Sequence, residues 1–286
     1  MFDVECLMLF TKVIFFYFHA GKYRMKSLQL LLFSIFFSIQ IFAQYPLAYE
    51  VSVKSDYFTS DNLGNAYAVK GHEIFKYLPN GKLFNRYSNL MLGNITSVDA
   101  TNPLKLLLFY RDFSKIQFLD NQLSENRGVI SLQDLGLEQS ILACISFDNG
   151  FWVYDQISFS LIRFNQSFDK TQEARNINQN IGYEPQPNFL HEWGDWVYLN
   201  NPETGILVFD IFGTYFKTIP LKGLTNFQIA GDNLLYFKQG KLLSYNWKTL
   251  AEGEVQLPPD EIQMLRTEKE MLIILTNENL KVYEVK

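Results

Sequence analysis

Histidine and cysteine are scarce in this 286-residue chain, with three of the first and two of the second, and its basic residues form no cluster. Each shortage removes a class of function. Without a patch of Lys and Arg to neutralise phosphates, the chain is excluded as a nucleic-acid binder, and attraction to an anionic membrane surface is disfavoured. Two cysteines cannot make a disulfide framework: Cys6 lies near the start, and Cys144 sits in the apolar run Ile141–Ile145, where a thiol behaves as a small buried hydrophobe. His19, His72 and His191 include no pair at metal-ligand spacing. His191-Glu192 opens like a zinc-protease motif, but Asp195 stands where the second histidine belongs. No G-x-S-x-G elbow occurs, so the usual hydrolase nucleophile is missing too. No segment carries a helical period.

The amino terminus is unlike the rest. Residues 7–18 and 28–43 are apolar, and the second run follows Met25-Lys26-Ser27 and ends in Ile41-Phe42-Ala43. A basic start, a short apolar stretch and a small residue at its end predict a signal peptide over 25–43, with 1–24 as an upstream extension. The run spans 16 residues and contains Ser34, Ser38 and Gln40, short of the roughly 20 apolar residues of a membrane-crossing helix. Loss of 1–43 removes four basic groups (Lys12, Lys22, Arg24, Lys26) and two acidic ones (Asp3, Glu5), so the net charge moves from −5 to −7. Such a charge favours solubility. The expected location is outside the cytoplasm, periplasmic or at the cell surface, with no membrane span in residues 44–286.

What the chain has in abundance is aromatic residues, 16% of the total with 26 Phe and 16 Tyr, which suit pleated strands. They fall in register. Short apolar segments end in an aromatic at Tyr77, Phe118, Phe164, Phe209, Tyr245 and Tyr283, at intervals of 36 to 46 residues. About ten residues before each lies another apolar segment, preceded by a polar turn such as Asp61-Asn62-Leu63-Gly64, Asp148-Asn149-Gly150 or Gly231-Asp232-Asn233. A third strand precedes the turn, and a more polar fourth follows the aromatic. Three or four strands recurring about every 40 residues predict propeller blades. A β-sandwich also has closely spaced strands but no such self-similarity. The fold class expected is all-β: a six-bladed β-propeller over 44–286. The last unit stops after its third strand, and Ala48–Val53 is left over to complete it.

The first unit, DNLGNAYAVKGHEIFKYLPNGKLFNRYS (residues 61–88), resembles the repeat of the NHL, SMP-30 and TolB-like six-bladed propellers at Asp61, Gly64, Asn65, Tyr67, Ile74, Tyr77, Asn80 and Gly81. Later units keep parts of it, as in Asp148-Asn149-Gly150 with Trp152 and Tyr154. The resemblance implies the fold and no single activity, because propellers host many functions. The lactonases among these families hold a divalent metal with Glu, Asn and Asp in the central channel. No such set stands at matching places here, and neither metal nor cofactor is expected.

Loops on a rigid scaffold carry most binding residues. The longest joint, Asn176–Asn188, and the turns between second and third strands share one face. Tyr110, Arg111, Tyr154, Tyr183 and Glu184 are its candidate binding residues, aromatic and Arg side chains being frequent interface anchors. The expected function is a secreted, non-enzymatic propeller of the bacterial cell envelope that binds another envelope protein or a small ligand. Two alternatives stay open: an accessory subunit of an outer-membrane machine, and a lactonase- or cyclotransferase-like enzyme with a central-channel site.

Overall fold

The computed structural model describes residues 45–285, so the upstream extension and signal peptide expected over 1–43 lie outside the described residues. The chain opens with β1 (Leu47–Ser52) and then builds six four-stranded sheets. Blade one is β2 (Tyr57–Ser60), β3 (Ala66–Lys70), β4 (Glu73–Tyr77) and β5 (Leu83–Ser88). Blade two is β6 (Ser97–Asp99), β7 (Lys105–Tyr110), β8 (Lys115–Asp120) and β9 (Ile130–Ser131). Blade three is β10 (Ser140–Ile145), β11 (Phe151–Asp155), β12 (Ser160–Phe164) and β13 (Lys170–Ala174). Blade four is β14 (Phe189–Trp193), β15 (Trp196–Asn201), β16 (Gly205–Asp210) and β17 (Tyr215–Ile219). Blade five is β18 (Gln228–Ala230), β19 (Asn233–Lys238), β20 (Lys241–Asn246) and β21 (Glu252–Val255). Blade six is β22 (Met264–Glu268), β23 (Met271–Leu275) and β24 (Asn279–Glu284), with β1 as its outer strand. Every sheet is antiparallel and follows chain order from the inside out, save this last one. The result is a six-bladed β-propeller.

Closure depends on the first strand. Tyr49 pairs with Val282 and Val51 with Leu280, and hydrogen bonds from Val53 N to Glu278 O and from Glu284 N to Pro46 O, both 2.9 Å, extend the ladder. Tyr49, Val51 and Val53 pack against the cluster shared by blades one and six, which includes Phe58, Ala66, Ile273 and Val282. The other apolar clusters likewise bridge neighbouring blades, as Phe109, Phe118, Phe151 and Phe164 do between blades two and three. A blade has two apolar faces and buries both only between neighbours. The aromatic series is buried throughout, and Tyr77, Phe118, Phe164, Phe209 and Tyr245 sit in these seams, while Tyr283 donates its hydroxyl to Asp260.

The repeat's polar residues make the turns. Asp61 accepts bonds from Leu63 N (2.9 Å), Asn65 N (3.0 Å), Asn65 Nδ2 (2.7 Å) and the Tyr67 hydroxyl (2.8 Å), while Gly64 takes the left-handed φ of +86° that the bend requires. One short helix, α1 (Ile177–Ile181), interrupts the joint Asn176–Asn188, where no helix was expected. Its signal is too brief for a period to show. Ile177 is its anchor, buried against the blade-three and blade-four cluster.

Candidate functional site

Strand direction alternates through each blade, so the turns between second and third strands share one face with the joints between blades. Two 3₁₀ turns stand side by side on this face. Leu90–Leu92 follows β5, and Arg111–Phe113 follows β7. Asn89 fixes the first, its side chain accepting from Met91 N at 3.0 Å, and Gly93 ends it at a φ of +71°. In a turn of three residues only one can point inward. Leu92 does so and is buried, which leaves Leu90 75% and Met91 85% exposed. Phe113, half-exposed, lies against Gly93, so close that a Cβ there would strike its ring. Lys115 Nζ is 5.9 Å from the same ring. Arg111 is tied to the first turn's trailing loop by its backbone N–H, which donates to Thr96 Oγ1 at 3.0 Å, and its Nε donates to Ile141 O of blade three at 3.2 Å.

The five candidates from the sequence fall into two groups. Arg111 and Glu184 are exposed on this face; Tyr183 is half-buried there, with its hydroxyl 2.7 Å from Thr204 Oγ1. Tyr110 and Tyr154 are wholly buried in the seams between blades one and two and blades three and four. Burial drives both phenols far above the usual tyrosine range. Each stands at or near the end of a strand beside a turn, but its side chain enters the seam, so neither reaches this face. Leu90, Met91 and Phe113 were not singled out from the sequence. Their signal was there: an apolar triplet between a capping Asn89 and Gly93 is too short for a strand.

The inner strands carry the other concentration of polar chemistry, and it is bonded across seams. Glu192 of β14 accepts from Ser146 Oγ (2.8 Å), Phe147 N (2.6 Å) and Trp152 Nε1 (2.5 Å), all of blade three. Glu268 of β22 accepts from Ser60 Oγ of blade one at 2.6 Å, and Arg266 Nε donates to the same hydroxyl at 2.8 Å. Burial raises the pKa of both carboxyls despite these donors. Burial lowers the pKa of His191, with Asp99 opposing the shift and Arg266 adding to it. Among the described residues no three His, Cys, Asp or Glu side chains converge as metal ligands, and no helix is long and apolar enough to cross a membrane. Cys144 is free and buried.

Neither a known family nor a curated protein matches this sequence. Solved structures do. The WD40 domain of Pan2 from Neurospora crassa aligns at a TM-score of 0.62 and 8% identity, over 84% of this chain and 95% of that one. These are propellers. A catalytically inactive virginiamycin B lyase from Staphylococcus aureus, solved with quinupristin, gives 0.55 and 11%, over 85% and 100%. The amino-terminal domain of BBS1, solved with ARL6, gives 0.53 and 13%, over 85% and 97%. Identities this low establish the fold alone.

Proposed function

We propose that this chain is an exported, non-enzymatic binding propeller of the bacterial cell envelope, which takes a protein partner on the face bearing Leu90, Met91, Arg111 and Phe113. The observation that carries the reading is the pair Leu90 and Met91, held almost fully in solvent by a turn fixed at both ends. Large apolar side chains displayed beside an aromatic and an arginine have the makeup of an interface anchor. Because the turn is preset, little conformational entropy is lost when a partner covers it. The basic-apolar-small pattern of residues 25–43 supports export. The Asp61-to-Tyr67 turn and strand supports a place near the NHL, SMP-30 and TolB-like propellers. On the inner strands, Glu192 and Glu268 are committed to bonds between blades, which favours scaffold over catalyst. An accessory subunit of an outer-membrane machine is the special case in which the partner is part of a larger assembly.

The test is capture from an envelope extract of the source cells, with residues 44–286 as bait. A variant carrying Leu90→Glu, Met91→Glu and Phe113→Ala should keep its fold and lose the captured protein, weakening binding by about a hundredfold. Undiminished capture by that variant would overturn the proposal.

A further inference from the structure

Four of the joints between blades bring an aliphatic plug to the seam they cross. Leu92, Leu132, Ile177 and Leu224 are almost fully buried, in the seams that run from blade one round to blade five. The joint from blade five to blade six, residues 256–263, reads QLPPDEIQ, and every one of its residues keeps some exposure. Pro258-Pro259 stiffens this joint. Asp260 pins it to blade six by accepting from Lys281 Nζ at 2.7 Å and from the Tyr283 hydroxyl at 2.5 Å. The joint is thereby held off the seam it crosses.

The blade-five side of the seam is unusual at the matching place. One pair before the turn between second and third strands, five blades carry Val69, Phe109, Tyr154, Asn200 and Leu275, all fully buried. Blade five has Phe237 at that position, paired with Leu242, and Phe237 is partly exposed. A cleft of about 300 Å³ lies there, lined by Phe237, Val255, Leu257 and Ile262. Charge is uneven around it. Lys241 and Glu254, both half-exposed lining residues, pair at 2.8 Å through Glu254 Oε2. Glu252 and Glu261 stand exposed in the flanking segment, while Asp260 is neutralised by Lys281. The surroundings of the cleft are therefore acidic.

We propose that this cleft binds the amino-terminal residue of a peptide when that residue is leucine or isoleucine. The side chain takes the place that an aliphatic plug fills in four other seams. The ammonium beside it meets the acidic mouth, where Glu254 holds Lys241 through one oxygen and offers the other. A cleft at the lower end of the size range of ligand sites holds one or two residues and not a folded partner. Because the joint is already fixed by Asp260, little ordering is lost on binding. The cleft opens on the same side of the wheel as Leu90 and Met91 but two seams away, so this inference stands or falls separately from the proposed function.

The test is titration of residues 44–286 with leucylglycine amide, followed by the methyl NMR signals of Leu257 and Ile262. Both should shift and saturate, with a Kd of about 1 mM or tighter. Acetyl-leucylglycine amide lacks the ammonium and glycylglycine amide lacks the side chain; each should bind about tenfold or more weakly than the parent peptide. Free leucine carries a carboxylate into the acidic mouth and should also bind more weakly. Glu254→Gln should weaken binding by about fivefold and leave the melting temperature unchanged, because an exposed ion pair contributes little to stability. Leu90→Glu with Met91→Glu should bind as the parent does. Signals that fail to shift overturn the inference. Equal binding of the acetylated peptide overturns it as well, and so does free leucine binding as tightly as the peptide, which would assign the cleft to the amino acid.

Discussion

Trp152 of blade three donates its indole N–H to Glu192 of blade four at 2.5 Å, across a seam otherwise filled by apolar side chains. The bond joins residues 40 positions apart and fixes how two sheets meet near the wheel's centre. Two further donors, from Ser146 and Phe147, reach the same carboxylate.

Removing that acceptor strands two buried donors, Ser146 Oγ and Trp152 Nε1, and the part-buried Phe147 N–H. Glu192→Ala should lower unfolding free energy by about 3 kcal/mol, read from urea denaturation. A loss within experimental error would mean that the seam does not depend on this carboxylate.

The pH dependence has a definite sign. Burial raises the Glu192 and Glu268 carboxyls above the ordinary 4.5 in the folded protein. A raised folded pKa means stability that is fully present below the unfolded value and is lost as pH rises through the folded one. The difference in stability between the parent and a Glu192→Gln, Glu268→Gln variant should therefore shift against the parent from pH 4.5 upward. A difference that is flat across this window, or of the opposite sign, would contradict the assignment.

Tyr154 offers a gain. Its hydroxyl is buried without a hydrogen-bond partner. Tyr154→Phe removes an unsatisfied polar atom and keeps the ring, so the melting temperature should rise by a few degrees, from about 1 kcal/mol. Capture of a partner should be unchanged, because the ring lies inside the seam.

Cys144 is the only thiol in residues 44–286, and burial raises its pKa well above 9.0. Thiol reagents should leave the native protein unlabelled and modify one group on addition of denaturant. Rapid labelling of the native state would show that the seam between blades three and four opens readily.

Much of this fold is legible in the residues. The turns announce themselves through Asp, Asn and Gly at fixed offsets, as at Asp61 and Gly64, and the aromatic of each third strand marks the seam it fills. Strand ends are not marked as clearly: β6 begins only at Ser97, and Ile95, two residues earlier, turns into the cluster between blades one and two. Site residues are harder. Nothing in the run of sequence says that Trp152 meets Glu192, since that pairing exists only once two blades are stacked. Tyr110 and Tyr154 look like loop residues beside their turns, yet a propeller packs its strands on both faces, and the second strands of blades two and three leave few positions free. Leu90 and Met91 show the converse: large apolar residues stand in solvent, because a three-residue turn has room for one inward side chain.

The binding face, the cleft and everything assigned to them depend on the wheel being closed by its first strand. Glu50 and Lys281 are direct cross-strand partners in β1 and β24. Glu50→Cys combined with Lys281→Cys in residues 44–286, with Cys144 buried and inert, tests the closure directly. Mild oxidation should form the cross-link in the native protein and not in urea, and should raise the melting temperature. Failure to form it in the native protein would place the first strand elsewhere and contradict the account.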